Sequence, residues 1–253
     1  MTHTCKNCNF QFEGNFCNHC GQSADTSEIN FKFLWKDFSK SMLRFDPALI
    51  NTLKQLFTRP GKMVREYIAG KRVLITSPTL FVLKLALMTL LIYHLFRHDL
   101  TATSQIAENS KRIISAESVG KWIDTHYSWL VLLMIPVNAV ATFIVFKKQD
   151  YNFSEHVVLN AYLTGQRLAI NLVLMPLYYV FGNALPIVTV VVFLIEFSLT
   201  VWSYHRFFNK LSKAKTFLLA LLSLAITLFI VLILTVLVIV ILKNLFNYKT
   251  VVS

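Results

Sequence analysis

Residues 217–242 read FLLALLSLAITLFIVLILTVLVIVIL, a run without a charge, a glycine or a proline. As a helix it would be about 39 Å long, which exceeds the ~30 Å hydrocarbon layer of a bilayer. Four more apolar stretches precede it, at 79–96, 129–146, 157–181 and 184–204. Because even the shortest would reach roughly 27 Å, the sequence predicts an all-α polytopic membrane protein with about five transmembrane helices.

The overall composition supports the same class. The chain of 253 residues is 55% hydrophobic and only 15% charged, which is outside the range of ordinary globular domains. Residues 1–24 are polar and cysteine-bearing, without the basic-then-apolar order of a secretory signal. We therefore expect the apolar stretches themselves to drive membrane insertion.

The net charge of +12 is unevenly distributed along the chain. Basic residues greatly outnumber acidic ones in the 28–72 segment, and the 205–216 loop is basic with no acid, whereas the 97–128 loop is balanced. By the positive-inside rule, the N-terminal region and the 147–156 and 205–216 loops are cytoplasmic. Five spans then place the C-terminus outside, and we expect a multi-pass protein of the cell inner membrane.

All four cysteines lie in the first twenty residues, as Cys5-Lys-Asn-Cys8 and Cys17-Asn-His-Cys20. Two CxxC pairs at this spacing are typical of a tetrahedral zinc site, in which each pair forms a tight turn around the metal. Gly14 and Gly21 lie where such tight turns are expected. A segment this short cannot bury a useful core, so metal binding would supply most of its folding free energy. We expect a structural zinc, since four thiolates leave no open coordination position, and we expect His19 to be a surface residue.

Other uses of these cysteines are less favoured. Neither pair is followed by the histidine of a c-type haem motif, and no strand–helix pattern supports a thioredoxin-like redox pair. Two disulfides would require the head to lie outside the cell, which the charge distribution opposes. Zinc is thus the predicted cofactor.

Apolar residues recur at spacings of mostly three or four between residues 29 and 57, with lysines and an arginine between them. This pattern predicts a basic amphipathic arm, broken near Pro47, that lies at the bilayer surface with its cations near anionic headgroups. Packing of the same stripe against the protein's own membrane helices is the alternative. Nucleic acid is not an expected partner. The stripe comprises Phe31, Leu34, Trp35, Phe38, Met42, Phe45, Leu49, Leu53 and Leu56.

The segment 52–72 reads TLKQLFTRPGKMVREYIAGKR and is followed by Ser77-Pro78 at the first apolar stretch. Pro60-Gly61 predicts a helix stop and turn, and Gly70 predicts the C-terminal cap of a helix. Together with the head motif FCNHCGQ at 16–22, the segment resembles the bacterial membrane family catalogued as domain of unknown function 3667. The resemblance covers about residues 5–95. It implies a zinc-ribbon-like head and several membrane helices, and it implies no particular activity.

Polar residues recur along the third predicted span at spacings of three or four, which places them on one helical face. Arg167 is one of them, and an ionised arginine inside a bilayer costs about 2.5 to 3.5 kcal/mol, so this side chain should face protein or water. We expect it to pair with Glu196 of the fourth span, either as a structural clasp or as part of a polar pathway for a proton or small ion. The face comprises His156, Asn160, Thr164, Arg167 and Asn171.

These patterns divide the chain into a zinc-ribbon-like head (1–24), basic amphipathic juxtamembrane helices (25–76) and a transmembrane domain (77–253). The sequence contains no Ser-His-Asp set, phosphate loop or HExxH motif, so no catalytic or cofactor-binding residues are assigned and an enzyme is not expected. The favoured function is a membrane adaptor or scaffold whose cytoplasmic head binds a protein partner. A small-solute or ion transporter using the polar face is the alternative, and a membrane-embedded enzyme comes third.

Overall fold

The structure is a computed structural model and describes residues 2–26, 47–97, 116–180 and 185–251. These segments form a small cysteine-rich head and a set of helices, so the protein is mainly helical, as predicted. A short 3-10 turn, Lys147–Gln149, precedes the helix Phe153–Val180. The strands and helices are β1 (Thr2–Thr4), β2 (Gln11–Glu13), α1 (Pro47–Thr58), α2 (Pro60–Ile68), α3 (Pro78–Arg97), α4 (Ala116–Val145), α5 (Phe153–Val180), α6 (Leu185–Phe207) and α7 (Lys213–Val251).

The head is built on an antiparallel hairpin of β1 and β2. Thr2 lies opposite Glu13, and His3 lies opposite Phe12. Side chains alternate between the two faces of a strand, and the central residue of β2, Phe12, is the one that points inward, with 4% of its surface exposed. It packs against the cysteines. The head therefore has a very small core, which agrees with a need for metal.

Three helices are long and apolar enough to cross a membrane, over Phe153–Met175, Ile187–Phe207 and Lys213–Ile241. The first and second predicted spans fall on α3 and α4, whose apolar parts among the described residues are shorter, at Pro78–Ile92 and Trp129–Val145. The structure thus supports a membrane protein with three candidate spans. The predicted number of about five is not established by helix length.

Residues 27–46, which carry most of the predicted amphipathic arm, lie outside the described residues. The last part of the arm is described, as helix α1. Its apolar face is buried in the protein, because Leu49 is 7% exposed and Leu56 is fully covered. Both belong to the same core as Tyr67 of α2 and Tyr162 of α5. For this part of the arm, packing against the protein's own helices is therefore the arrangement found.

The Pro60-Gly61 pair differs from the expected helix stop and turn. Only Arg59 separates α1 from α2, and Pro60 is the first residue of the new helix, where its missing N–H is no loss. Gly61 lies inside α2 and faces α6. A Cβ atom at Gly61 would lie 2.2 Å from the backbone nitrogen of Phe207. This glycine is required because the two backbones touch.

Helix α2 ends as predicted at Gly70, which has a φ of +100°. The Gly70 N–H donates to the carbonyl of Tyr67 (3.0 Å), and the Lys71 N–H donates to the carbonyl of Glu66 (2.9 Å). These two bonds form a Schellman cap, which satisfies the last carbonyls of the helix. The side chain of Arg65 connects α2 to α6, because its guanidinium donates to the carbonyls of the last two residues of α6.

The main core lies where α1 and α2 meet α3, α5 and the end of α6. Tyr162 of α5 is at its centre, with its ring edge against Tyr67 at a centroid distance of 5.6 Å. Its hydroxyl donates to the carbonyl of Thr76 (2.8 Å). Phe81 of α3 fills the space beside Gly165, where a Cβ would lie 2.2 Å from the ring. The juxtamembrane helices are thus part of the same packed unit as the membrane helices.

Candidate functional site

The four predicted metal ligands come together in the head. The sulfur atoms of Cys5, Cys8, Cys17 and Cys20 all lie within 4.8 Å of one another. The Cys5–Cys20 and Cys8–Cys17 sulfur distances are 3.5 and 3.7 Å. With metal–sulfur bonds of about 2.3 Å, tetrahedral geometry places thiolates roughly 3.8 Å apart. The cluster therefore has the size and ligand type to hold one metal ion.

Both CxxC turns have the same backbone geometry. The carbonyl of Cys5 accepts the N–H of Asn9, and the carbonyl of Cys17 accepts the N–H of Gly21, each at 2.8 Å. In each turn the first cysteine N–H also donates to the carbonyl five residues later. Asn9 and Gly21 both have a positive φ, of 60° and 74°. Sequence reasoning identified Gly21 but missed Asn9, which occupies the equivalent position and tolerates the left-handed region better than most residues.

The four thiols also affect one another's protonation. The backbone hydrogen bond from Phe10 lowers the pKa of Cys8, but desolvation and its bonds to the other thiols outweigh this and raise that pKa to about 12. At Cys20, the backbone hydrogen bond from Gln22 lowers the pKa. Sulfurs this close cannot all ionise without a compensating cation. A divalent metal supplies that charge and releases the protons when it binds.

The head is connected to the end of α2. The backbone N–H of Arg72 donates to Oε1 of Gln22 (3.1 Å), whose residue is 5% exposed. Gly70 fits closely here, since a Cβ would lie 2.8 Å from Cδ of Lys6. Lys6 in turn donates to the carbonyl of Thr26 (3.0 Å). The second cysteine turn is therefore seated on the helix cap that precedes the first apolar helix.

The head exposes aromatic side chains to solvent. Phe10 is 47% exposed and Phe16 is 63% exposed. Phe10 stacks on His19, with ring centroids 5.6 Å apart. His19 is an exposed residue, as expected, and is not in the group of candidate ligands. We call Phe10, Phe16 and His19 the aromatic face of the head.

The polar face predicted on α5 divides between two neighbouring helices. Near the start of α5, Nδ1 of the fully buried His156 lies 3.1 Å from the hydroxyl of Thr142 on α4. The amide of Asn160 donates to the same hydroxyl (2.8 Å). Thr164, one turn further along, is also buried. These contacts connect α5 to α4.

Further along α5, the polar residues contact α6. The Arg167 guanidinium donates to the hydroxyl of Thr200 (3.3 Å), and the Asn171 amide donates to Oε1 of Glu196 (2.8 Å). No direct ion pair joins Arg167 to Glu196 in the described parts of these helices. The two helices are antiparallel, and their register differs from the expected one by a turn. Asn171 therefore lies at the level where Arg167 was expected.

The change of partner along α5 has a geometric cause. The polar residues recur every 3.75 positions on average, whereas an α-helix has about 3.6 residues per turn. Between His156 and Asn171 this difference rotates the stripe by roughly 60° around the helix. The stripe consequently faces α4 at one end and α6 at the other.

Sequence reasoning missed the residues that satisfy these polar groups. Thr142 lies within the second apolar stretch, and Thr200 lies within the fourth, so neither has a local signal. Gln166 was missed as well, although it is 2% exposed and donates to the carbonyl of Leu56 at 3.0 Å. The only sequence signal for Gln166 was its position directly before Arg167, next to the predicted polar stripe.

Comparison with known proteins gives one finding. No curated protein and no solved structure matches the chain. The model of the family described as "Protein of unknown function (DUF3667)" matches residues 46–90. The matched part comprises α1, α2 and most of the apolar part of α3, and the cysteine cluster fits the zinc-ribbon-like head expected from the resemblance. The match over residues 46–90 therefore confirms the predicted resemblance to this family of proteins of unknown function.

Proposed function

We propose that the protein is a non-enzymatic membrane adaptor whose metal-binding head holds a protein partner at the bilayer surface. The observation that carries this proposal is the aromatic face of the head. Phe10 and Phe16 are large apolar residues with 47% and 63% of their surface exposed on a segment with almost no core. Exposed aromatic residues on a rigid support are typical of protein-binding surfaces.

The metal in this proposal is zinc. Four thiolates in a tetrahedral cluster are the ligand set that zinc prefers, and such a site is coordinatively closed. The metal would hold the two cysteine turns together and would not bind a substrate. Its effect on function is indirect, because it fixes the position of Phe10 and Phe16 relative to the docked Gln22.

The membrane arrangement proposed here has five spans, with α3 and α4 added to the three longer helices. The support is that α3 and α4 pack against α5 within one core and that both are largely apolar. The charge distribution then favours a cytoplasmic head, an external C-terminus and a location in the cell inner membrane. A head on the cytoplasmic side would meet soluble partners there.

The contacts of the polar face favour a structural role over transport. Nδ1 of His156 and the amide of Asn160 both contact the hydroxyl of Thr142 between α4 and α5, although Nε2 of His156 has no hydrogen-bond partner among the described residues. Asn171 bonds Glu196 between α5 and α6. Hydrogen bonds of this kind hold membrane helices together. We therefore assign the face to helix packing.

The adaptor proposal is tested by photocrosslinking in cells. A photoreactive amino acid is placed at Phe16 of the full chain, and a matched control has it at Glu13, an exposed position on β2 that is not one of the three residues of the aromatic face. We expect a discrete protein adduct from position 16 that Phe10→Ala weakens at least severalfold, with no such adduct from position 13. Equal adducts from both positions, or none from position 16 in zinc-loaded protein, would refute the adaptor function.

A further inference from the structure

The head contacts the backbone after α2 through one residue from each cysteine turn. Lys6, from the first turn, lies against Gly70, where an added Cβ would be 2.8 Å from Cδ of Lys6. Gln22, at the end of the second turn, accepts the N–H of Arg72 through Oε1 at 3.1 Å. We call residues 70–72 the docking segment. Both turns must keep their relative position for both contacts to form together.

The two turns are held against each other mainly by their cysteines. In the described part of the head, the hydrophobic core has only Phe12 and two cysteines fully buried. The closest sulfur pairs, Cys5–Cys20 and Cys8–Cys17, each join one turn to the other. So small an apolar core contributes little stability, and a metal bound by all four thiolates would make the two turns one rigid unit.

Rigidity of the head decides whether it stays docked. Two contacts made by one rigid unit reinforce each other, because the first holds the second near its partner at a high effective concentration. Turns that can move apart make each contact independently, and a single hydrogen bond exchanged with water adds little net stability. The head should therefore dock firmly only when its turns are joined through the metal.

The chain beyond the docking segment is fixed by α1, independently of the head. The side-chain amide of Asn51 donates to the carbonyl of Leu74 (2.7 Å), and the N–H of Thr76 donates to the hydroxyl of Thr52 (2.9 Å). Release of the head would consequently expose the amide of Arg72 to water and leave that of Thr76 protected.

We propose that the head docks on residues 70–72 in a metal-dependent manner, so that it is seated there when metal is bound and leaves when the metal is removed. The metal content of the head then controls where the aromatic face is held relative to the membrane helices. That regulatory role rests on the adaptor function proposed above, whereas the docking itself does not. Because coupling between two binding events is reciprocal, docking must also strengthen metal binding.

The first test is hydrogen exchange of the full-length protein in detergent micelles, with zinc bound and after chelation. Elemental analysis verifies that the chelator has removed the zinc. The amide of Arg72 should exchange about tenfold faster or more without zinc, and added zinc should restore its protection. The amide of Thr76 is the internal control and should exchange at the same rate in both states. Unchanged protection of Arg72 after zinc removal would overturn the proposal.

The second test measures zinc affinity by competition with a chromophoric chelator. Gln22→Met removes the acceptor for Arg72 at nearly constant side-chain length, and it should weaken zinc binding about fivefold, the share of one hydrogen bond. Gln11→Met is the matched control, because Gln11 is an exposed residue of the same type on β2, and it should change the affinity less than twofold. Equal effects of the two variants would contradict the coupling.

A third variant acts from outside the head. Gly70→Ala places a Cβ against Lys6 at a residue with a φ of +100°, and it should weaken zinc binding although Gly70 is not near the sulfurs in sequence. Gly61→Ala, which strains the same helix against α6, is its control and should leave the zinc affinity within twofold. Equal losses in both would show general destabilisation of α2 and refute the docking.

The docking and the adaptor function can fail separately. Zinc-dependent protection of Arg72 together with no adduct from Phe16 in the crosslinking experiment would uphold the docking and refute the adaptor. A Phe16 adduct of equal yield with and without zinc, together with unchanged protection of Arg72, would uphold partner binding and overturn the metal-dependent docking.

Discussion

Asn171 and Thr200 determine how the polar side chains between α5 and α6 are satisfied. Asn171 donates to the carboxylate of Glu196, and Thr200 accepts from Arg167 while donating to the carbonyl of Glu196 at 2.8 Å. Each ionisable group thus meets an uncharged partner from the facing helix. Satisfying a polar group inside a membrane by a hydrogen bond avoids the cost of leaving it bare.

A double-mutant cycle tests this pairing. Asn171→Leu and Glu196→Leu should each destabilise the protein, and their coupling should be about 1 to 2 kcal/mol, because the interhelical hydrogen bond is lost in both. The Arg167→Leu and Glu196→Leu cycle should give a smaller coupling, since those side chains do not form an ion pair. Unfolding in detergent micelles measures both cycles. A larger coupling between Arg167 and Glu196 would instead support the direct ion pair expected from the sequence.

The metal ligands allow a second prediction at the scale of single residues. Cys8→Ser should remove bound zinc, because it deletes one of four sulfurs that lie within 4.8 Å of one another. Membrane insertion should persist, since the apolar helices do not depend on the head. Elemental analysis should find about one zinc per chain in the parent protein. His19→Ala, in the second CxxC turn, is the control and should retain the metal.

Zinc binding should also depend on pH. Protons compete with the metal for the thiolates, so the affinity for zinc should fall as the pH is lowered. The backbone bond from Gln22 lowers the pKa of Cys20, which favours its thiolate. Cys8, whose pKa is raised by desolvation and by its bonds to the other thiols, should lose its proton when the metal binds. Absence of zinc from protein purified without chelator would contradict both zinc predictions.

Helix α2 connects the head to the membrane helices. Its Gly61 touches the backbone of α6, its Arg65 guanidinium caps the last carbonyls of α6, and its C-terminal cap at Gly70 receives the head. A short helix of nine residues thus has contacts on both sides.

Gly61→Ala tests the contact between α2 and α6. In an exposed helix interior this change would stabilise by up to about 1 kcal/mol through helix propensity. Here a Cβ would lie 2.2 Å from the backbone of Phe207, so we expect a loss of about 1 to 3 kcal/mol instead. Thermal unfolding in detergent gives the sign. Lys62→Ala, on the exposed side of α2, is the control and should change stability by less than ~0.5 kcal/mol.

At the scale of the whole molecule, the number of spans decides which side of the membrane each loop occupies. Three helices, α5, α6 and α7, are long and apolar enough to cross a bilayer among the described residues. Our proposal adds α3 and α4. Both counts are odd, so the two ends of the chain lie on opposite sides in either arrangement, and fusions at the ends cannot distinguish them.

A reporter inserted after Ser104, between α3 and α4, does distinguish the two counts. With five spans it should be outside, on the same side as a reporter after Ser253 and opposite to the head. With three spans it would be on the side of the head. A pair of reporters active only inside or only outside the cell measures this, and a cytoplasmic result at Ser104 would contradict the five-span proposal.

The sequence alone determined the features that depend on neighbouring residues. Cysteine spacing predicted the cluster, long apolar runs predicted the helices, and Gly70 predicted the end of α2. In each case the residues that carry the sequence pattern are the ones that form the local structure, so the geometry of a short stretch of chain determines the result. Asn9 follows the first CxxC pair at the position that Gly21 occupies after the second, so a comparison of the two turns would have identified it.

Only the tertiary structure decided the contacts between distant segments. It brought Gln22 to the N–H of Arg72, placed Gly61 against α6, and set the register that pairs Asn171 with Glu196. Such contacts depend on how closely two backbones approach and on where side chains interlock along them. Spacing within one helix gives the direction of a side chain, but a shift of one turn between neighbours leaves that spacing unchanged.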